Sequence, residues 1–205
     1  RAMHQITYPI TAKLMHEDKH DALNDLYKKT SINLQVVGGF VMLCIFVNIN
    51  QLYVMVPKEY SGGILVVFLI GISKYFDLIL GNNNAIIFNS KYYRMVLFLG
   101  LLLVFLTVGL NMFFIPRYAI TGTAIATLLS ITLYSLAKLL FVVKRMHLYP
   151  FTKQTLYSLA ITFGIFLLFY FWEFPFNPII SIGLKSILVT LLYVYINYKF
   201  VISIE

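Results

Sequence analysis

Charged residues are scarce in this chain of 205 residues: they make up 12% of it, whereas hydrophobic residues make up 60%. A soluble domain typically carries about 25% charged residues, so a soluble protein of this composition could not cover its own surface. Long apolar segments take the place of the missing charge. A helix needs about 20 apolar residues to cross a bilayer, whereas the strands of a membrane barrel show about ten alternating residues. The continuous runs therefore predict an all-α membrane protein.

Cysteine and catalytic motifs are also missing. Cys44 is the only cysteine and lies inside an apolar run, which excludes a disulfide framework and a cysteine-based metal site. The chain has no phosphate-binding glycine loop, no HExxH and no nucleophile elbow. Its four histidines lie outside the apolar runs. We therefore predict a protein that is not an enzyme, with no cofactor and no metal site.

Six apolar segments have the length of a membrane span. They cover residues 33–56, 61–80, 95–115, 119–143, 155–172 and 178–202, so that residues 33–202 form a bundle of about six transmembrane helices. The short connections make neighbouring helices antiparallel. Residues 1–32 are predicted to contain the end of a preceding helix, followed by either an amphipathic surface helix or a solvated connector. Residues 203–205 form a short tail.

The basic residues indicate the orientation. Eleven of the sixteen lysines and arginines fall in the N-terminal segment, residues 81–94, residues 144–154 and the C-terminal end, which alternate along the chain onto one side. The opposite side carries only Lys58 and Arg117. Because basic loops stay in the cytoplasm, both termini are predicted to be cytoplasmic. The same rule explains the net charge of +8 without nucleic acid as a partner.

Four ionisable residues lie inside the predicted spans, where a charge costs about 2.5–3.5 kcal/mol on insertion scales. Lys74 and Asp77 are three residues apart on one helical face and are expected to pair. Lys138 is six residues from Lys144, about 9 Å along a helix, and is expected to reach the cytoplasmic headgroups. Lys185 has no acidic neighbour in its own helix. It either extends to the outer headgroups or faces a cavity as a fixed cation for a phosphate.

Three of these four residues, without Lys138, belong to the predicted transport path. Lys185 and Lys74 are predicted to bind substrate, and Asp77 is predicted to take up a coupling proton or sodium ion. Asn48 and Gln51, in the outer half of the first span, either bond across helices or form a polar cavity wall that contacts substrate. Gly122, Ala126 and Ser130 recur every four residues and predict a close helix contact.

The centre of the chain resembles a known family. Residues 111 and 115–127 read N…IPRYAITGTAIAT, which is similar to the pattern N…IPxYGIxGAAIAT of polysaccharide biosynthesis flippases, especially the O-antigen (Wzx-type) group of the multidrug/oligosaccharidyl-lipid/polysaccharide exporter superfamily. Ala119 stands where the family usually has glycine, and Thr123 where it has alanine. Residues 86–94 and the segment from Pro9 to Thr30 also resemble the family.

This resemblance implies the C-terminal portion of a two-lobed transporter of 12–14 helices in the bacterial inner membrane, with further N-terminal helices in the same chain. The implied cargo is an undecaprenyl-pyrophosphate-linked oligosaccharide, flipped across the lipid bilayer during surface polysaccharide biosynthesis. A multidrug or peptidoglycan-precursor exporter of the same superfamily is the first alternative. A membrane polysaccharide polymerase or acyltransferase is the second, although the outer connections are too short for a large catalytic loop.

Overall fold

The computed structural model describes residues 2–202, and within them the side chains of residues 5–57, 59–60 and 62–200. Arg1 and the predicted tail at 203–205 lie outside the described residues. The described part contains no strand and folds into the helices α1 (Ala2–His16), α2 (His20–Val47), α3 (Ile49–Val54), α4 (Ile64–Ile79), α5 (Asn83–Asn89), α6 (Arg94–Met146), α7 (Lys153–Tyr170) and α8 (Pro178–Asn197). A 3-10 turn at Lys58–Gly63 precedes α4, and a π-helical turn at Tyr198–Ile202 follows α8.

Six spans can be counted in the described helices. By length and composition α2, α6, α7 and α8 can each cross a membrane, and α4 with α5, bent by 48°, forms a further broken span. α6 has 53 residues but reverses at Ala119, which has a φ of 47°. Gly122 consequently lies against the Phe114 carbonyl group, although a straight helix would separate these residues by about 12 Å. α6 thus consists of two limbs, residues 94–118 and 120–146, and the all-α membrane fold is confirmed.

α2 is the central helix, in contact with α1, α4, α7 and α8. Gly38 lies against Leu78 and Gly71 lies against Phe46, so α2 and α4 run antiparallel with close backbones. On its other side α2 packs against α7 and α8 through a buried apolar core: Leu43, Val47, Ile165, Phe169, Val189 and Tyr193. The predicted antiparallel order of neighbours is therefore present where the packing is tightest.

Three features of the helices differ from those predicted. α2 continues from His20 to Val47 without a break at residue 32, because its first turns are held by packing: Leu23 and Tyr27 are buried in a core with Leu148. The apolar face of the predicted surface helix, which includes Leu23 and Tyr27, therefore packs against protein. The predicted first span at 33–56 is interrupted at Asn48, between α2 and α3. Residues 81–94 contain the buried helix α5 and are more than a loop.

The second limb of α6 carries the small-residue stripe, and Gly122, Ala126 and Ser130 are all buried. The first limb is much less buried, since large apolar side chains such as Leu97, Phe105 and Met112 are about three-quarters exposed. Exposed apolar surface of this extent requires a nonpolar environment. Lipid contact along α6 satisfies that requirement.

Candidate functional site

An ion pair inside the spans joins α4 to the second limb of α6. The Lys138 ammonium lies 3.1 Å from Oδ1 of Asp77. It also donates to Oδ1 of Asn84 at 3.4 Å and lies 4.3 Å from the centroid of the Tyr134 ring. The Ser135 hydroxyl donates to the same Asp77 oxygen at 3.3 Å. The lysine is therefore surrounded by a carboxylate, an amide oxygen and an aromatic face.

The two partners differ in exposure. The Lys138 side chain is 3% exposed, whereas the Asp77 side chain is 47% exposed. The ammonium is enclosed by protein, while the carboxylate keeps a free side on which a proton, an ion or water can reach it. This arrangement corrects two expectations. Lys138 does not extend to the headgroups, because a carboxylate lies within reach across the helix interface. Asp77 pairs with Lys138 rather than with Lys74.

The break between α4 and α5 places this pair. Gly81 adopts a φ of +59°, and a Cβ there would lie 2.7 Å from the Ser31 backbone nitrogen, so the turn requires glycine. The buried Asn82 accepts a hydrogen bond from Thr7 at 3.1 Å and donates one to Thr11 at 2.7 Å. Irregular backbone at membrane depth is tolerated where protein satisfies its polar groups. Asn82 therefore ties the break to α1, although both side-chain polar atoms of its neighbour Asn83 are buried without a partner in the described part of the chain.

Lys74 lies apart from the Asp77–Lys138 ion pair. Its exposed side chain contributes to a groove of about 500 Å³ between α2 and α4, whose other lining residues, including Val37, Val41 and Ile70, are almost all apolar. Lys74 forms no ion pair among the described residues. The groove thus combines a long apolar surface with one ammonium group, towards the end of α4 that leads into the break.

Lys185 is enclosed in α8. Its side chain is 1% exposed, and its ammonium lies 3.5 Å from the carbonyl oxygen of Val47, the last residue of α2. A helix C-terminus carries a partial negative charge, which compensates part of the lysine charge. No carboxylate pairs with Lys185 among the described ion pairs. Burial excludes the outward extension that the sequence left open.

Asn48 and Gln51 belong to the same region as Lys185. The Asn48 amide donates to the Cys44 carbonyl oxygen at 2.8 Å and to the Ser186 hydroxyl at 3.0 Å. Its own carbonyl oxygen and that of Gln51 are buried without a hydrogen-bond partner in the described part of the chain. Buried amide oxygens of this kind are uncommon in folded proteins. The α2–α3 break therefore holds two unsatisfied acceptors close to an ammonium with a single carbonyl contact.

The predicted site residues thus separate into two places. Lys185, Asn48 and Gln51 come together at the α2–α3 break, whereas Lys74 and Asp77 lie on different faces of α4. Since Phe46 lies level with Gly71, the Val47 carbonyl is about seven residues of α4 from Asp77, or about 10 Å along the axis. The described residues contain no group of histidine, cysteine and carboxylate side chains suited to a metal ion.

Sequence reasoning missed Lys138, Ser135 and Asn84 as one group. A signal was present, since Ser135 precedes Lys138 by three residues in an otherwise apolar segment and therefore lies on the same helical face. The partner on α4 could not be inferred, because that contact depends on how α4 and α6 pack. Asn84 was assigned to a loop, which hid its position as the second residue of α5.

Comparisons with models of protein families, with curated proteins and with solved structures find no match to this chain. The class therefore follows from the molecule itself. It is an all-α membrane protein with apolar helices of spanning length, two interrupted spans and ionisable side chains at both interruptions.

Proposed function

We propose that this chain is the C-terminal part of an ion-coupled flippase, which moves an undecaprenyl-pyrophosphate-linked oligosaccharide across the bacterial inner membrane during O-antigen or related polysaccharide biosynthesis. The observation that carries the proposal is the Asp77–Lys138 pair beside the α4–α5 break. Ionisable groups in spans mark ion and substrate pathways, and interrupted helices supply the binding sites of many secondary transporters.

The coupling step is assigned to Asp77. Protonation of its exposed side would remove the charge that holds Lys138, leaving a buried ammonium with only Asn84 and Tyr134 as partners. An unpaired buried charge is strongly unfavourable. Uptake of a proton by Asp77, or of a sodium ion that displaces Lys138, therefore favours separation of α4 from the second limb of α6.

The cargo class rests on the groove between α2 and α4 and on the family resemblance. Its apolar lining suits a polyprenyl chain, and the Lys74 ammonium suits the attached pyrophosphate, because charge-assisted hydrogen bonds to phosphate are strong. Lys185, with Asn48 and Gln51, is assigned as a second contact that becomes accessible when α8 moves away from α3. The segment that resembles the flippases forms the tight reversal at Ala119.

The test is transport by the full-length protein in liposomes with an imposed proton or sodium gradient. A fluorescent undecaprenyl-pyrophosphate oligosaccharide should be transported by the unaltered protein, and Asp77→Asn should abolish its gradient dependence. Glu59→Gln is the matched control, since it removes an exposed carboxylate outside the spans. Gradient-driven transport that persists in Asp77→Asn would exclude Asp77 as the coupling group.

The cargo assignment is tested in the same liposomes. Transport of a peptidoglycan precursor or of cationic drugs, in place of the oligosaccharide, would favour the other exporters of the superfamily. Elongation of the glycan by the purified protein would instead indicate a polymerase.

A further inference from the structure

A cavity of about 530 Å³ opens on the basic side of the molecule, between the α1–α2 turn, the α5–α6 connection and the end of α6. Three of the chain's four histidines contribute to its lining, together with three basic residues. These six residues are His16, Lys19, His20, Lys91, Arg145 and His147. Asp18 is the one carboxylate among the lining residues described, so lysine and arginine outnumber it three to one in the cavity wall.

Two of its charges have no counter-ion. Lys19 is held by Glu17 at 2.7 Å, and this hydrogen bond keeps the pKa of the exposed Glu17 carboxyl below its usual value. Lys91 and Arg145 form no ion pair among the described residues. The Lys91 ammonium only lies over the Tyr92 ring, 5.3 Å from its centroid. The α5–α6 connection and the last turn of α6 therefore each place one basic residue without an ion-pair partner at the same cavity.

The cavity is shaped by two abrupt helix ends. Asp18 and His147 adopt left-handed backbone conformations, with φ of 51° and 54°, and they are two of the three non-glycine residues with positive φ in the described chain. Such conformations are unfavourable without glycine. At Asp18 the chain turns sharply after α1, and Lys19, His20 and Leu23 beyond the turn line the cavity. At His147 the lining ends with the turn that follows α6.

The inner wall of the cavity is apolar. Leu14, Met15, Leu23 and Met146 also contribute to the lining, and Leu23 belongs to the buried core beneath it. Since α1, α2 and α6 all begin or end here, the cavity lies where spans meet the headgroup layer. Basic cavities between the ends of membrane helices bind anionic lipid headgroups.

We propose that this cavity binds the phosphate group of an anionic phospholipid from the adjacent leaflet, with Lys91 and Arg145 as the main contacts and the apolar wall against the start of an acyl chain. None of these residues belongs to the proposed transport path. The lipid site therefore stands whether or not the protein is a flippase.

Native mass spectrometry of the full-length protein can count bound lipids individually. The protein is equilibrated with mixed micelles containing equal amounts of phosphatidylglycerol and phosphatidylcholine, and one phosphatidylglycerol is expected to be retained preferentially. The double variant Lys91→Gln/Arg145→Gln should bind it about 30-fold more weakly, because each basic residue near an anionic lipid surface contributes about a fivefold factor.

The matched control is Arg94→Gln/Lys144→Gln. It removes the same charge from neighbouring positions at the two ends of α6, but neither residue lines the cavity. Preserved binding in this control, with loss in the cavity variant, supports the site. Equal loss in both double variants would indicate general attraction of the basic face and overturn it. A separate arm adds millimolar sodium phosphate: if free phosphate displaces the lipid from the unaltered protein at that concentration, the ligand is a soluble phosphate and the lipid assignment is wrong.

Discussion

Lys138 and Lys185 are both lysines buried within the spans, with side chains almost equally inaccessible, yet they are neutralised differently. Lys138 has a carboxylate at 3.1 Å, an amide oxygen and an aromatic ring. Lys185 has one backbone carbonyl at 3.5 Å. Burial alone therefore does not distinguish a structural charge from a functional one. The number of protein partners distinguishes them, because a charged group with few protein partners can still bind a ligand.

The two helix breaks differ in the charge beside them, although both hold unsatisfied amide groups. At the α4–α5 break, Asn82 has hydrogen bonds on both sides of its amide, and its neighbour Asn84 contacts Lys138. At the α2–α3 break, the carbonyl oxygens of Asn48 and Gln51 are buried without partners in the described part of the chain. Both side-chain polar atoms of Asn83, at the first break, are buried without partners as well. We infer that the first break holds an ion-dependent contact between helices, whereas the second holds a lysine that no carboxylate pairs with among the described residues.

The largest expected effect comes from removing the partner of Lys138. Asp77→Asn should lower the free energy of unfolding by about 3 kcal/mol, because it leaves the buried Lys138 ammonium without its counter-charge. Unfolding of the purified protein in detergent, followed by circular dichroism, measures this change. The double variant Asp77→Asn/Lys138→Met should recover most of the loss, since it removes the stranded charge as well. A double variant as unstable as Asp77→Asn would show that Lys138 is not what Asp77 neutralises.

The next effect concerns the break that positions this pair. Gly81→Ala should destabilise the protein by about 2 kcal/mol, because alanine resists a φ of +59° and its Cβ would press on the Ser31 backbone. Gly100 is the matched control: it lies within α6, and an added Cβ there would meet no described atom within 4 Å, so Gly100→Ala should stabilise by up to about 1 kcal/mol. Thermal unfolding in detergent compares the two variants. Similar unfolding midpoints for the two variants would show that the turn at the α4–α5 break does not require glycine at position 81.

The sequence predicted the spans well because each rests on a local property, the length of an apolar run. It also identified all four ionisable positions in the spans. It could not choose their partners. Lys74 and Asp77 are neighbours along α4, but the contact that forms is to Lys138, 61 residues away, and depends on packing between helices. The left-handed turns at Asp18 and His147, which bring distant basic residues together, have no glycine to reveal them.

A smaller effect on stability is expected at Lys185. Lys185→Met should change the free energy of unfolding by no more than about 1 kcal/mol, because replacing a weakly compensated buried charge with an apolar group is often neutral or stabilising. Transport of the labelled oligosaccharide in liposomes should nevertheless fall at least about tenfold, the effect of losing about 1.4 kcal/mol of substrate interaction. Lys153→Met, an exposed lysine at the start of α7, is the control. Normal transport by a stable Lys185→Met protein would make Lys185 a packing residue.

The smallest perturbation locates the two lysines relative to the bilayer. Single cysteines at the exposed positions Lys91, Arg117, Lys153 and Glu173, in a Cys44→Ala background, should each alter stability by less than about 0.5 kcal/mol. With both termini cytoplasmic, an impermeant maleimide applied to intact cells should label the cysteines at Arg117 and Glu173 but not those at Lys91 and Lys153, because the basic connections stay inside. Permeabilised cells, in which all four should react, control for reactivity. That pattern places Lys185 in the outer half of the membrane and the Asp77–Lys138 pair nearer the cytoplasm. The reverse labelling pattern would place Lys185 nearer the cytoplasm and Lys138 nearer the outer surface, and it would overturn the predicted topology.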